Sequence, residues 1–135
     1  MTVTEMLLKA DAKKVEEMKE GTFKSEMLAM ALGKEGTVEI KIREIPPKKL
    51  AEYMDGAVTQ GDDLPLPTLF ESSKKIVLAG VVDPDLKDSN LKDHFGCKMA
   101  IDLVEKLFRN EVYAISEAIQ KLSEAAGTTE EDIKN

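Results

Sequence analysis

The sequence predicts an α+β fold, mainly α-helical with a small antiparallel β-hairpin, and three observations predict it. First, apolar residues recur at three- and four-residue steps through the second half, most cleanly at Ala100, Leu103, Val104, Leu107 and Phe108. Second, Val38, Ile40 and Ile42 alternate with Glu39, Lys41 and Arg43, the period of a half-buried strand. Third, Gly33-Lys34-Glu35-Gly36 supplies two residues free to take the positive φ of a tight turn. A length of 135 residues favours a single domain, 1–135. Such a domain buries about two-thirds of its unfolded surface, so neither a metal nor a disulfide is needed to hold it.

The elements follow in order. Thr2-Val3-Thr4-Glu5 reads as a capping box. A helix is expected from there to about Glu20, with only Leu7, Leu8, Val15 and Met18 as a short apolar stripe and hence loose packing at its start. Gly21 is expected to end it. Leu28, Met30 and Leu32 alternate with smaller residues and read as the first hairpin strand, paired with Val38–Arg43 across the glycine turn. The competing reading is a helix over Ser25–Leu32, because Met, Leu and Ala are strong helix formers. Pro46-Pro47 stops the second strand and suits the first turn of a helix over Lys48–Val58, with Leu50, Tyr53, Met54 and Ala57 on one face. Residues 60–67 are a loop by composition. A helix from Pro67 or Thr68 to Ala79 carries Leu69, Phe70, Ser73, Ile76 and Val77 at helical spacing and ends at Gly80. Asp83-Pro84-Asp85 is a turn, and Ser89–Phe95 is a short helix closed by Gly96. Lys98–Phe108 is the clearest helix. The last one places Val112, Ile115, Ile119, Leu122 and Ala126 on one stripe and stops at Gly127. Thr128–Glu131 repeats the capping-box pattern.

Composition narrows the function classes. Nineteen basic against 26 acidic residues give a net charge of −7, which disfavours nucleic acid or an anionic membrane as the partner. No Trp, two Tyr and four Phe are too few for base-stacking platforms. No signal-peptide core and no run of about 20 apolar residues is present. The lone Cys97 forms no internal disulfide and fits a reducing cytosol.

Few residues suggest chemistry. His94 and Cys97 are three apart and are each the single residue of their kind, so a thiolate nucleophile is conceivable. Gly96 breaks the helix between them, however, and no third orienting group is indicated. One His and one Cys leave few soft ligands for zinc, so a structural site would have to be completed by carboxylates, which is unusual. Asp83, Asp85 and Asp88 cluster carboxylates at a turn. An EF-hand loop beginning there would place Lys87, Asp88 and His94 where an oxygen donor, a glycine and a bidentate Glu are required. Asp85 or Asp88 is expected instead to cap the following helix. The glycine turn at residues 33–36 lacks the ending of a phosphate loop. The expectation is therefore no catalytic residue, no metal and no cofactor. Six methionines beyond Met1 (Met6, Met18, Met27, Met30, Met54 and Met99) suit either core filling or an adaptable partner-binding face.

Three blocks carry a resemblance: Leu7-Leu8-Lys9-Ala10-Asp11-Ala12-Lys13-Lys14; Ile45-Pro46-Pro47-Lys48-Lys49-Leu50-Ala51-Glu52-Tyr53; and Gly80-Val81-Val82-Asp83-Pro84-Asp85-Leu86-Lys87-Asp88 with Leu91, His94-Phe95-Gly96 and Asp102–Phe108. With the ending Ile133-Lys134-Asn135, the chain resembles the XkdN-like tail assembly chaperones of long-tailed bacteriophages and prophages. The resemblance implies a non-catalytic assembly factor in the bacterial host cytoplasm, absent from the mature virion. Its implied partner is the tape measure protein, with the major tail tube protein and self-association as further expectations. Where the family pattern has Gly before the Glu that opens the last helix, this chain has Asn110, expected to take the left-handed position. The resemblance also implies a longer product made by a minus-one ribosomal frameshift, since Ile133-Lys134-Asn135 permits the codons AUA-AAA-AAC. Ile115, Ile119 and Leu122 are expected to serve either the core or a partner-binding groove. Rival readings are a structural tail component and a small Cys–His hydrolase.

Overall fold

The computed structural model describes residues 2–54 and 66–124. In chain order the elements are α1 (Val3–Lys9), α2 (Ala12–Val15), β1 (Glu20–Ser25), α3 (Glu26–Ala31), β2 (Val38–Arg43), α4 (Pro47–Met54), α5 (Leu66–Gly80), β3 (Val81–Asp83), α6 (Ser89–His94), α7 (Ala100–Phe108), a 3-10 turn (Arg109–Glu111) and α8 (Val112–Ser123). The fold is mainly helical with a small antiparallel sheet of order β1-β2-β3.

The capping box at the start of α1 forms as expected. Thr2 Oγ1 accepts from the Glu5 N–H at 3.1 Å, and Glu5 accepts from the Thr2 N–H at 3.1 Å. The Thr2 hydroxyl also donates to the Glu5 carboxylate at 3.0 Å, and the two bonds the carboxylate accepts, from the Thr2 backbone N–H first and from the hydroxyl second, hold it below its usual pKa. The helix does not continue to Glu20. It ends at Ala10, whose backbone is extended, and α2 restarts behind Asp11, which caps it through the Lys13 N–H at 2.9 Å. An aspartate favours a cap over a helix interior because its side chain competes for backbone donors.

The hairpin is also displaced. Gly21 does not stop a helix but lies inside β1, and the strand that pairs with β2 is Glu20–Ser25, not residues 28–32. The competing helical reading holds for that segment: Ser25 Oγ accepts from the Leu28 N–H at 3.0 Å and caps α3. Strong helix formers behind a serine cap outweigh an apolar alternation only a few residues long. Gly33 and Gly36, at φ 69° and 81°, then turn the chain into β2, the conformations glycine was expected to provide. Ile40 and Ile42 point into the core while Glu39, Lys41 and Arg43 point out. A third strand, β3, adds to β2 through Lys41–Asp83 and Ile42–Val81, with an irregularity between Lys41 and Ile42. Three residues are too few to show a period.

Pro47 opens α4 as expected. The expected loop over 60–67 lies mostly outside the described residues, but Leu66 and Pro67 already belong to α5. The end of α4 towards Val58, the Gly127 stop and the Thr128–Glu131 capping box lie outside them as well. Asp85 Oδ1 accepts from the Lys87 N–H at 3.1 Å, and Asp88 Oδ1 caps α6 through the Leu91 N–H at 3.0 Å. Gly96 closes α6 at φ 70°. At the end of α7 the left-handed residue is Arg109, at φ 54°, and Asn110 sits in the 3-10 turn. The helix frays one residue earlier than the family pattern suggested.

One core joins these pieces. Ile40, Ile42 and Ile45 meet Ile76 and Val77 of α5, Leu103, Val104, Leu107 and Phe108 of α7, and Val112, Ile115 and Ile119 of α8. α5 packs on α8. A methyl placed on Gly80 would fall 2.5 Å from Ile119 Cδ1, so the absence of a side chain sets the spacing of the two helices.

Candidate functional site

Among the described residues, the chemical candidates settle into structural roles. The His94 ring packs edge-on against Phe95 at 4.9 Å, and Cys97 Sγ lies 3.7 Å from the Phe95 carbonyl oxygen. Neither side chain engages the other. No group of three or more His, Cys, Asp or Glu residues that could hold a metal ion occurs among the described residues. Asp85 and Asp88 are occupied by the backbone N–H groups of the turn and of α6.

Two polar junctions, built on the buried side chains of Ser25 and Lys74, tie elements far apart in sequence. Glu111 accepts from Ser25 Oγ at 2.5 Å and from the Glu26 N–H at 2.9 Å, so the start of the last helix holds the start of α3. Carboxylates favour helix N-termini because the free N–H groups point at them. In the second junction Lys74, 5% exposed, reaches Glu105 at 2.8 Å and Glu71 at 2.9 Å, with its ammonium 4.9 Å from the Phe70 ring centre. Burial alone would lower the Lys74 pKa, but the bonds to Glu105 and Glu71 outweigh it and hold the pKa above its usual value. Both junctions position helices. Only the Glu71–Lys74 pair, three residues apart on one helix, has a local spacing; the Lys74–Glu105 and Glu26–Glu111 partners, 31 and 85 residues apart, leave no local pattern.

The structure places Ile115 and Ile119 in the core at 0% exposure, and Leu122, half-buried, against the core over Gly21. Ile115 and Ile119 therefore present no surface to a partner in this folded chain. Apolar side chains are exposed elsewhere. Val3, Met6, Leu7 and Leu8 all lie open on α1, which has no buried residue. A groove of about 430 Å³ runs between α3 and α7, floored by Met27, Ala31, Phe95 and Leu107, with Met30 at 64% exposure on its lip. Lys106 and Arg109 line the same groove. The six methionines divide accordingly: Met27 and Met30 line this groove, Met6 and Met99 are exposed, and Met54 packs against the core. Met18 lines a separate groove of about 300 Å³ beside Ile45 and Tyr53.

No described helix is long and apolar enough to cross a membrane. No curated protein and no solved structure matches the chain significantly. A family model does: the one for the phage XkdN-like tail assembly chaperone protein matches residues 4–135, and the chain belongs to that family.

Proposed function

We propose that this protein shields the tape measure protein during phage tail assembly and is itself non-catalytic. Family membership over residues 4–135 carries the reading. Support comes from two apolar surfaces, α1 and the α3–α7 groove. A tape measure protein is long and helical, and its apolar stripes are open until the tube closes around it. Transient burial of those stripes against an adaptable methionine surface prevents aggregation. The site of action is the bacterial host cytoplasm. The major tail tube protein is a second expected contact, and self-association brings further copies to one tape measure helix.

Co-expression of the tape measure protein with and without this chain tests the reading. The expected result is soluble, co-purifying tape measure protein only when the chain is present, and no chain in purified particles. Insoluble tape measure protein under both conditions would overturn the shielding role. Recovery of the chain in stoichiometric amounts from finished particles would instead make it a structural component of the tail.

A longer frameshifted product forms part of the same proposal. It requires the codons AUA-AAA-AAC at Ile133-Lys134-Asn135 and an overlapping minus-one frame. Other codons at these three positions would remove it.

A further inference from the structure

The α3–α7 groove carries a charge opposite in sign to that of the chain as a whole. The protein as a whole has a net charge of −7, yet the side chains lining this groove include two cations and no carboxylate. Lys106 Nζ is held over it by the Phe95 carbonyl oxygen at 2.7 Å. Arg109 forms no ion pair among the described residues. The neighbouring groove of about 490 Å³ shares these two cations but adds Asp102 and Glu105, so its charges balance and it selects no sign.

Arg109 is also held in an unfavourable backbone conformation, φ 54° and ψ −132°, which glycine adopts freely and a side chain does not. Strain of that kind persists where the surrounding structure fixes it, and it marks positions whose side chain has a use. An arginine here projects from the α7 terminus beside a methionine-lined apolar floor.

The geometry points to the α3–α7 groove as the docking site for an amphipathic helix whose apolar stripe is flanked by acidic residues, with Met27, Met30 and Ala31 taking the stripe and Lys106 and Arg109 pairing with the flanking carboxylates. A helix suits a groove formed by two helices, since i, i+3, i+4, i+7 anchors enter it in a row. Methionine tolerates different anchor shapes, so charge supplies the selection. The assignment rests on the shielding role proposed above and adds to it which surface binds and which helices are preferred.

Two fluorescein-labelled 18-residue helical peptides test it by anisotropy against the full chain. Both carry Leu at i, i+3, i+4 and i+7; one is flanked by Glu and the other by Lys. The Glu-flanked peptide should bind at least about fivefold tighter, with an advantage that shrinks as salt rises. Arg109→Gly combined with Lys106→Gln should abolish the advantage, and Met30→Gln should weaken both peptides. Arg109→Gly relieves the positive-φ residue and Met30 is exposed, so these variants should fold; circular dichroism checks this. Lys121→Gln, which removes an exposed charge on α8, should change nothing.

Equal binding of the two peptides, or an advantage that survives the double variant, would overturn the proposal. A dimer that Met30→Gln dissociates would assign the groove to a second copy and overturn it equally. Co-purification of the tape measure protein with the wild-type chain and undiminished with the double variant would reject the groove while leaving the shielding role intact. Failure of the wild-type chain to solubilise the tape measure protein would reject the shielding role itself.

Discussion

Glu111 stands 85 residues from Glu26 and accepts from its backbone N–H, while its other oxygen takes the Ser25 hydroxyl. Ser25 is fully buried and itself caps α3, so one carboxylate serves a chain of three donors. Glu111→Ala strands a buried hydroxyl and uncovers the α3 N-terminus. Charge-assisted bonds and buried unsatisfied groups each count for a few kcal/mol, so the variant should lose about 2 kcal/mol in urea unfolding. A loss under about 0.5 kcal/mol would mean that water replaces the carboxylate at no cost. Residue-level roles were legible in the sequence where the partners are neighbours. Thr2 with Glu5, Asp88 before α6, and the positive φ of Gly33, Gly36 and Gly96 all follow from spacing of a few residues. The left-handed position at the end of α7 fell one residue from its expected place, on Arg109, because helix ends are set by the last tertiary contact and not by residue preference alone.

Among the elements, the packing of α5 on α8 depends on one missing side chain. Gly80→Ala would place a methyl within 2.5–2.9 Å of three carbons of Ile119, which is 0% exposed. Overpacking of this sort costs about 1–3 kcal/mol. Gly80→Ala should therefore lower the unfolding midpoint, and adding Ile119→Val should recover part of the loss. A single variant as stable as the parent would show that α8 shifts freely against α5. Helices with a sustained apolar stripe (α5, α7 and α8) were readable from sequence because their burial follows the 3.6-residue period. The segment around α3 carried two periods at once, and the strand Glu20–Ser25 carried none that local pattern could separate from the preceding helix. Its pairing with β2 supplies what its own sequence lacks.

Across the whole molecule, Lys74 links pH to global stability. Its pKa in the folded state lies above the ordinary value of 10.5, so the folded state holds this proton more tightly than the unfolded chain. The contribution is complete below pH 10.5 and is lost as pH rises through the folded-state pKa. Urea unfolding of the wild type should show this alkaline loss, and Lys74→Met should show less of it over the same range. Identical alkaline slopes for the two proteins would separate Lys74 from the effect.

The sequence by itself determined the fold class, the caps at Thr2 and Asp88, the turns at Gly33, Gly36 and Gly96, and the family, because these reside in local spacing and in residues that lie in order along the chain. Only the tertiary structure decided which apolar stripes are core and which are surface. Ile119 and Met30 look equally fit for a partner in the sequence, yet one is sealed beneath Gly80 and the other stands open on the lip of a groove. Burial depends on what packs opposite a side chain. That neighbour is distant in sequence, so no local pattern names it.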